Sequence, residues 1–348
     1  MNRMTLGRTG IEVSDYCLGT MTWGTQTPEQ DAHAQIDRAL DAGIDFLDTA
    51  EMYPVNPVLA ETVGVTETII GNWNAKTGQR DKWVIATKHS GANGGFVREG
   101  RGILPDTLRG AVEGSLRRLQ TDYIDIYQFH WPNRGSYHFR QNWGFDPSKQ
   151  PSRSEILDEM AGVMEVLKAL VDEGKIRAFG LSNDSAWGTM NWLAAAEAVG
   201  GPRVATMQNE YSLLCRLYDT DMAELAVHED IVLLAFSPLA TGFLTGKYQN
   251  GQIPEGSRMS LNAGLGGRNS ERVLTATGAY LEIAERHGLH PVHLALQWTR
   301  SRPFPTIPIF GATTKEQLEV VLEAPAVTLS EEVLNEVSEA HKKHPMPY

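Results

Sequence analysis

Four side chains stand where chemistry is easiest to assemble: Asp48, Tyr53, Lys88 and His130. Each ends, or closely follows, a short apolar run. Asp48 lies in Phe46-Leu-Asp-Thr-Ala50, and Tyr53 follows in Glu51-Met-Tyr-Pro54; Lys88 closes Val84-Ile-Ala-Thr-Lys88 and His130 closes Tyr127-Gln-Phe-His130. A free phenol titrates near about 10 and is a poor proton donor at neutral pH. An ammonium beside it favours the phenolate, which predicts a Tyr53 pKa lowered toward the working range, with Asp48 holding and balancing the lysine. A neutral His130 would orient a carbonyl oxygen by donating a hydrogen bond. Such a set polarises a carbonyl and delivers a proton as hydride arrives on carbon. Singly, each residue has a plainer role as cap, ion-pair partner or packed aromatic. Together, at consecutive strand ends, they point to catalysis.

The elements that must position them alternate along the chain. Strands are predicted at Tyr16–Gly19, Phe46–Thr49, Val84–Lys88, Ile124–His130, Ala178–Ser182, Thr206–Asn209, Val232–Ser237 and Thr306–Gly311. Several are continuously apolar, as a parallel sheet covered on both faces requires. Helices are predicted over 28–42, 66–77, 106–119, 154–173, 186–198, 219–228 and 314–323. The fourth is clearest, with Leu157, Met160, Ala161, Met164, Leu167 and Val171 on one face at spacings of three and four. Eight alternations without a composition break predict an α/β fold, one closed (β/α)₈ TIM barrel spanning 1–348 as a single domain, in preference to an open doubly wound sheet. A barrel takes roughly 250 residues, and the remainder has places to go. Met4–Gly7 and Ile11–Ser14 read as an N-terminal β-hairpin plugging the barrel floor. Residues 131–153 and 238–270 are long βα loops, and 271–287 and 330–342 are extra helices, the latter C-terminal.

Composition narrows the partners. The chain has 348 residues, with 31 Lys and Arg against 43 Asp and Glu, so its net charge is −12. No net positive field gathers phosphates, which argues against nucleic acid. The apolar run Ile231–Phe236 is strand-sized, no run reaches the eighteen residues a membrane span needs, and Met1–Arg8 lacks the core of a secretory signal. Cys17 and Cys215 make no disulfide framework, so a cytoplasmic location is expected. No metal site is expected either, since the ten histidines show no ligand spacing on one element.

Beyond the four residues, whole motifs are recognisable. Gly19-Thr-Met-Thr-Trp-Gly24, Phe46-Leu-Asp-Thr-Ala-Glu-Met-Tyr53, Thr66-Glu-Thr-Ile-Ile-Gly71, Ala86-Thr-Lys88 and Asp122-Tyr-Ile-Asp-Ile-Tyr-Gln-Phe-His130 resemble the aldo-keto reductase superfamily. So do Gly174-Lys-Ile-Arg-Ala-Phe-Gly-Leu-Ser-Asn183, Gln208-Asn-Glu-Tyr-Ser-Leu213 and Pro308-Ile-Phe-Gly-Ala-Thr-Thr314. The resemblance runs in order along essentially the whole chain. The Glu51-Met-Tyr-Pro54 and His130-Trp-Pro132 spellings resemble the bacterial Tas-like branch, related to the potassium-channel β-subunit type. It implies a catalytic tetrad of Asp48, Tyr53, Lys88 and His130, with Tyr53 the general acid in reducing aldehydes or ketones. It also implies NADPH bound without a dinucleotide fingerprint, and no G-x-G-x-x-G lies between a strand and a helix. By position, Gly19, Thr20 and Met21, with Asp48, would lie beside the nicotinamide ribose. Ser182, Asn183 and Gln208 would bond its carboxamide. Phe236, Ser237, Pro238 and Leu239 would run from nicotinamide to pyrophosphate. Gly242, Leu244, Gly246, Lys247 and Arg258 would form a lid, its two cations neutralising phosphates. Gly311, Thr313 and Thr314 would offer N–H groups at a helix start, with Gln317 facing the adenosine.

Two departures bear on the cofactor. Many relatives carry Lys or Arg after the eighth strand's Ile-Pro, where this chain has Ile309, and a Glu-Asn pair where it has Val320 and Val321. NADH is therefore possible beside NADPH. The substrate mouth would be walled by Trp23, Tyr53, His130 and Trp131, with Trp143 and Phe145 from the 131–153 loop; aromatic walls suit flat or apolar carbonyl compounds. Two alternatives stand against a carbonyl reductase: a slow-turnover NADPH-binding sensor of the channel β-subunit type, and a phosphate-binding barrel isomerase or lyase. Oligomeric state and physiological substrate are not written in the sequence.

Overall fold

Hydrophobic, β-branched runs bury best when both faces of a sheet are covered, and the chain achieves this by closing the sheet on itself. A computed structural model describes all 348 residues. Strands β1 (Arg3–Thr5) and β2 (Glu12–Ser14) form an antiparallel hairpin, and eight parallel strands follow. These are β3 (Cys17–Gly19), β4 (Phe46–Asp48), β5 (Val84–His89), β6 (Ile124–Phe129), β7 (Ile176–Ser182), β8 (Val204–Glu210), β9 (Val232–Phe236) and β10 (Thr306–Phe310). They close as a barrel in sequence order, β10 pairing β3 through Ile309↔Cys17. The predicted (β/α)₈ barrel and its hairpin are both present.

Helices α1 (Glu29–Asp41), α2 (Val65–Thr77), α3 (Pro105–Leu119), α4 (Arg153–Asp172), α5 (Ala186–Val199) and α6 (Asp221–Glu229) fill the gaps between β3 and β9. Their boundaries follow local signals. The Ser152 hydroxyl accepts from the Glu155 N–H while the Glu155 carboxylate accepts from the Ser152 N–H, a reciprocal cap that starts α4. After β9 come the one-turn α7 (Arg258–Leu261), then α8 (Glu271–Arg286) and α9 (Pro291–Arg300); α10 (Lys315–Glu323) and α11 (Glu331–Lys343) complete the chain.

Helix α9 was not expected. It packs against β10 as the ring helix between β9 and β10, while α8 is additional and lies against α11. Every residue from Val292 to Thr299 is buried, although His293, Gln297 and Arg300 stand at helical spacing on one face of α9. The 238–270 segment is also less open than expected, holding a 3₁₀ stretch Ala240–Thr245 as well as α7.

Two apolar layers hold the barrel. A large core fills the space between strands and helices, including Tyr16, Trp73, Phe179 and Trp298. A smaller one lies inside the barrel, where Phe46, Ala86, Ile126, Ala178, Leu234 and Ile307 meet Leu6, Ile11 and Val13 of the hairpin. The hairpin closes the N-terminal end, so polar inward residues gather at the opposite end. Gly180 makes room there. A Cβ at that position would collide with the Thr206 hydroxyl and press on Gln128 Cγ at 3.1 Å. No helix is long and apolar enough to cross a membrane.

Candidate active site

At the C-terminal ends of β4, β5 and β6 the structure brings the four expected side chains together. Lys88 is completely buried. Its ammonium donates to Asp48 Oδ2 at 2.7 Å, to the Thr49 carbonyl at 2.7 Å and to the Tyr53 hydroxyl at 3.4 Å. The His130 ring meets the Tyr53 ring edge-on, with centroids 5.7 Å apart. A chain of contacts thus runs from carboxylate to ammonium to phenol, with the imidazole beside it.

Electrostatics correct one expectation. Burial raises the Tyr53 pKa above its ordinary value, and the adjacent Lys88 charge offsets this only in part. Tyr53 is therefore a firmly protonated acid instead of a phenol titrating near neutrality. Burial would also discharge Lys88, but Asp48 and Tyr53 outweigh it and hold the ammonium above its usual pKa. His130 is pushed well below the usual imidazole range by burial and by Lys88, so the ring is neutral, as expected.

Asp48 is the hinge between this cluster and the neighbouring strands. Its second oxygen accepts from Gln208 Nε2 at 2.7 Å and from Gln128 Nε2 at 3.3 Å, and its carbonyl accepts from the Thr20 hydroxyl at 2.9 Å. Ser182 donates to the Gln208 carbonyl at 2.7 Å, and Asn183 Nδ2 donates to the His130 carbonyl at 2.9 Å. Asn183 Oδ1 is buried without any partner, on the side chain whose amide nitrogen is held at the His130 carbonyl. Burying such a group unpaired is costly, so a ligand that supplies an N–H there is favoured.

The next strand end leads into the 238–270 loop. Phe236 is half-buried at the end of β9, followed by Ser237 in the left-handed region, then Pro238 and Leu239. Gly242 sits at φ +102°, and a Cβ there would lie 2.6 Å from Lys247 Cε. Leu244 is buried, Gly246 caps the 3₁₀ stretch, and the Lys247 ammonium lies 5.2 Å from the Tyr248 ring centroid. Arg258, the first residue of α7, faces Arg268, Tyr248 and Tyr53, with no carboxylate among its titratable neighbours. Burial and Arg268 pull its pKa down to about 10.

Gly19 presses against Ile309, and Met21 flanks Tyr53. On the far side, Gly311 is exposed, the Thr313 N–H donates to Gln317 Oε1 at 3.0 Å, and Thr314 caps α10 by accepting from the Gln317 N–H. Gln317 thus folds back onto the turn, and Thr313 does not offer a free N–H. Ile309 belongs to the apolar barrel interior, and Val321 is buried.

Of the expected mouth residues, Trp131 fits best: its ring lies 4.8 Å from His130, and its indole N–H is fixed on the Ala92 carbonyl. Trp23 does not. It is fully buried in the main core, with its indole N–H toward Gln35 at 3.3 Å, so it offers no surface to a substrate. Trp143 is 67% exposed, with the Arg272 guanidinium over its ring. The apolar groups gathered round Tyr53 are Met21, Met52, Val55, Val58, Val97 and Trp131.

Sequence reasoning missed the supports. Glu51, two residues before Tyr53, is buried and accepts from Arg98 Nη1 and the Ser90 N–H, each at 2.6 Å. Arg134 and Asp184 form a buried ion pair that ties the 131–153 loop to the residue after Asn183. Gln128 was passed over as part of a strand. Its one signal was an amide between Tyr127 and Phe129 near the end of the strand run Ile124–Phe129.

A closed parallel barrel with a buried Asp–Lys–Tyr chain and a neutral histidine at its C-terminal mouth defines a class, and the comparisons agree. The chain belongs to the aldo/keto reductase family, whose profile matches residues 16–342. It is 43% identical to protein tas of Escherichia coli over 97% of this chain and 96% of that protein. It is 35% identical to the oxidoreductase YrpG of Bacillus subtilis, covering 94% and 92% of the two chains. A Schizosaccharomyces pombe protein named as a putative voltage-gated potassium channel subunit beta is 30% identical over 90% and 85%. The chain is therefore an oxidoreductase of a family that generally uses nicotinamide cofactors on small carbonyl compounds.

Proposed function

We propose that the protein reduces aldehydes or ketones to alcohols with NADPH, Tyr53 acting as the general acid. The observation that carries this reading is the buried Asp48–Lys88–Tyr53 chain beside a neutral His130. A reduced nicotinamide dinucleotide supplies the hydride and leaves oxidised. The substrate carbonyl oxygen lies between Tyr53 Oη and the His130 imidazole, both of which donate to it. As the carbonyl π pair moves onto oxygen, Tyr53 Oη gives up its proton. The phenolate that remains is stabilised by the Lys88 ammonium, whose charge Asp48 balances. Water is excluded by Trp131, Met52 and Val58 around the phenol.

The residues present fit the dinucleotide. The unpaired Asn183 Oδ1 accepts from a carboxamide amino group, and Gln208 and Ser182 complete that end. Arg258, lacking a carboxylate, with Lys247 meets phosphate oxygens. Two phosphate-facing cations in a protein of net charge −12 support NADPH, while the apolar Ile309 and Val321 leave the adenosine end weakly specified and NADH usable. Tyr53→Phe removes the acid without emptying the site. Turnover of an aldehyde is expected to fall by roughly 10²–10⁴-fold, while NADPH affinity by fluorescence titration stays within about twofold. Wild-type turnover in that variant defeats the reading.

A further inference from the structure

Between Asp48 and Tyr53 the chain buries a second carboxylate that the reaction does not use. Glu51 is 3% exposed, and its backbone N–H donates to the Lys88 carbonyl at 3.3 Å. Its Oε1 accepts from the Ser90 N–H and its Oε2 from Arg98 Nη1, each at 2.6 Å. Arg98 Nη2 donates to the Ser90 carbonyl at 3.0 Å and lies 3.0 Å from His89 Nδ1. One carboxylate therefore joins the segment that carries Tyr53, the end of β5 and the 90–104 loop.

That loop shapes two walls of the mouth. Val97, next to Arg98, packs against the group of Ala50, Met52 and Tyr53. The Ala92 carbonyl accepts from the Trp131 indole N–H at 2.9 Å, and a Cβ on Gly91 would collide with that ring and with the Trp131 carbonyl. Arg98 and Glu99 both adopt left-handed backbone, at φ +48° and +55°, which residues with side chains hold only when their surroundings impose it. Asn93 fixes one end of this turn, accepting from the Val97 N–H at 3.2 Å and donating to the Val97 carbonyl at 3.3 Å. Glu51 fixes the guanidinium end.

Burial favours a neutral Glu51, but His89, Arg98 and the Ser90 N–H outweigh it and hold the carboxyl below its usual range. His89 is itself uncharged at neutral pH, its pKa lowered to about 4 by burial, so Arg98 supplies the pairing charge. The other titratable groups facing Glu51 are Tyr127 of β6 and Arg118 of α3, and Arg118 is taken up by Glu67 of α2 at 2.7 Å.

We propose that Glu51 and Arg98 are positioning residues for substrate choice: their ion pair sets the 90–104 loop against Tyr53, so that Val97 and Trp131 admit slender carbonyl substituents and turn away broad ones. The inference rests on the carbonyl-reductase reading above. Neither side chain touches the reacting atoms; the pair acts through the walls it holds.

The test compares propanal with 1-naphthaldehyde, with NADPH as reductant, in wild type, Arg98→Met and the double variant Arg98→Met/Glu51→Gln. Without the pair the wall retreats, and the kcat/KM ratio of naphthaldehyde to propanal is expected to rise about tenfold in both variants. NADPH affinity by fluorescence titration stays within about twofold. In Arg98→Met, Glu51 has no cation in contact, and charging it drives the loop off the site. Propanal kcat/KM is therefore expected to fall about tenfold as pH rises from about 6 to 9 in that variant, while wild type and the double variant stay flat. Equal losses on both aldehydes with flat pH profiles overturn the proposal, as do wild-type values in the folded variants. If Arg98→Met does not fold, the double variant, which buries no unpaired charge, decides by its substrate ratio. No oxidation of NADPH by the wild-type protein on any carbonyl compound overturns the reductase reading and this inference with it.

Discussion

At the scale of single residues, the site is a balance between burial and charge. Tyr53 is kept protonated by desolvation despite the Lys88 ammonium 3.4 Å away. His130 is kept neutral by the same burial. These directions fix the pH behaviour. Carbonyl reduction needs protonated Tyr53 and neutral His130, so its kcat/KM is expected to be flat from about pH 6 to 9, with no break near the ordinary imidazole value of about 6.5. Alcohol oxidation needs the phenolate and is expected to rise continuously across the same range. Paired pH profiles in the two directions check this; a reduction rate halving near pH 6.5 contradicts it. The four residues were legible because each ends an apolar run, and a strand end in a parallel barrel is an address. Glu51 was not legible as their support. Its partners Ser90 and Arg98 lie 39 and 47 residues away, with no spacing that a strand or helix would impose.

At the scale of elements, the eight strands were readable because continuous apolar runs of five or so residues alternate with amphipathic segments. Helix α9 carried a legible signal that the expectation left aside: Pro291 at its start and His293, Gln297 and Arg300 at helical spacing. Trp23 was misplaced. An aromatic after a strand reads as a rim residue, but here it turns under α1 to reach Gln35. Inside the barrel the polar layer of Lys88, Gln128, Thr206 and Gln208 exists because β7 presents a glycine toward it. Gly180→Ala places a methyl against the Thr206 hydroxyl and is expected to cost about 1–3 kcal/mol by overpacking. Urea denaturation measures it, with the midpoint lowered and the slope unchanged. An unaltered midpoint shows that β7 and β8 can part without penalty.

At the scale of the whole molecule, the site is placed on the only barrel end left open, since the hairpin fills the other. A chain of net charge −12 carries Lys88 at the end of β5 and Lys247, Arg258 and Arg268 in the segment that follows β9. Stability has a pH signature of its own. His89, buried beneath the 90–104 loop, has its pKa lowered to about 4 by burial. Its unfolded value is about 6.5, so the unfolded chain binds the proton first. The stabilisation is complete above that value and is lost as pH falls from about 6.5 toward 4, at about 1.4 kcal/mol per pH unit for this one group. His130 acts in the same direction. The melting temperature is therefore expected to fall steadily between pH 7 and 5, and a constant value over that interval refutes the buried neutral histidines.

The central claim is that Tyr53 protonates a carbonyl oxygen as nicotinamide hydride is consumed. Loss of nicotinamide absorbance with NADPH and NADH, against a panel of aldehydes, ketones and quinones, tests it most directly in wild type and Tyr53→Phe side by side. The account predicts turnover by the wild-type protein on at least one carbonyl compound, and a loss of roughly 10²-fold or more in Tyr53→Phe with NADPH still bound. Equal turnover by the two proteins contradicts it.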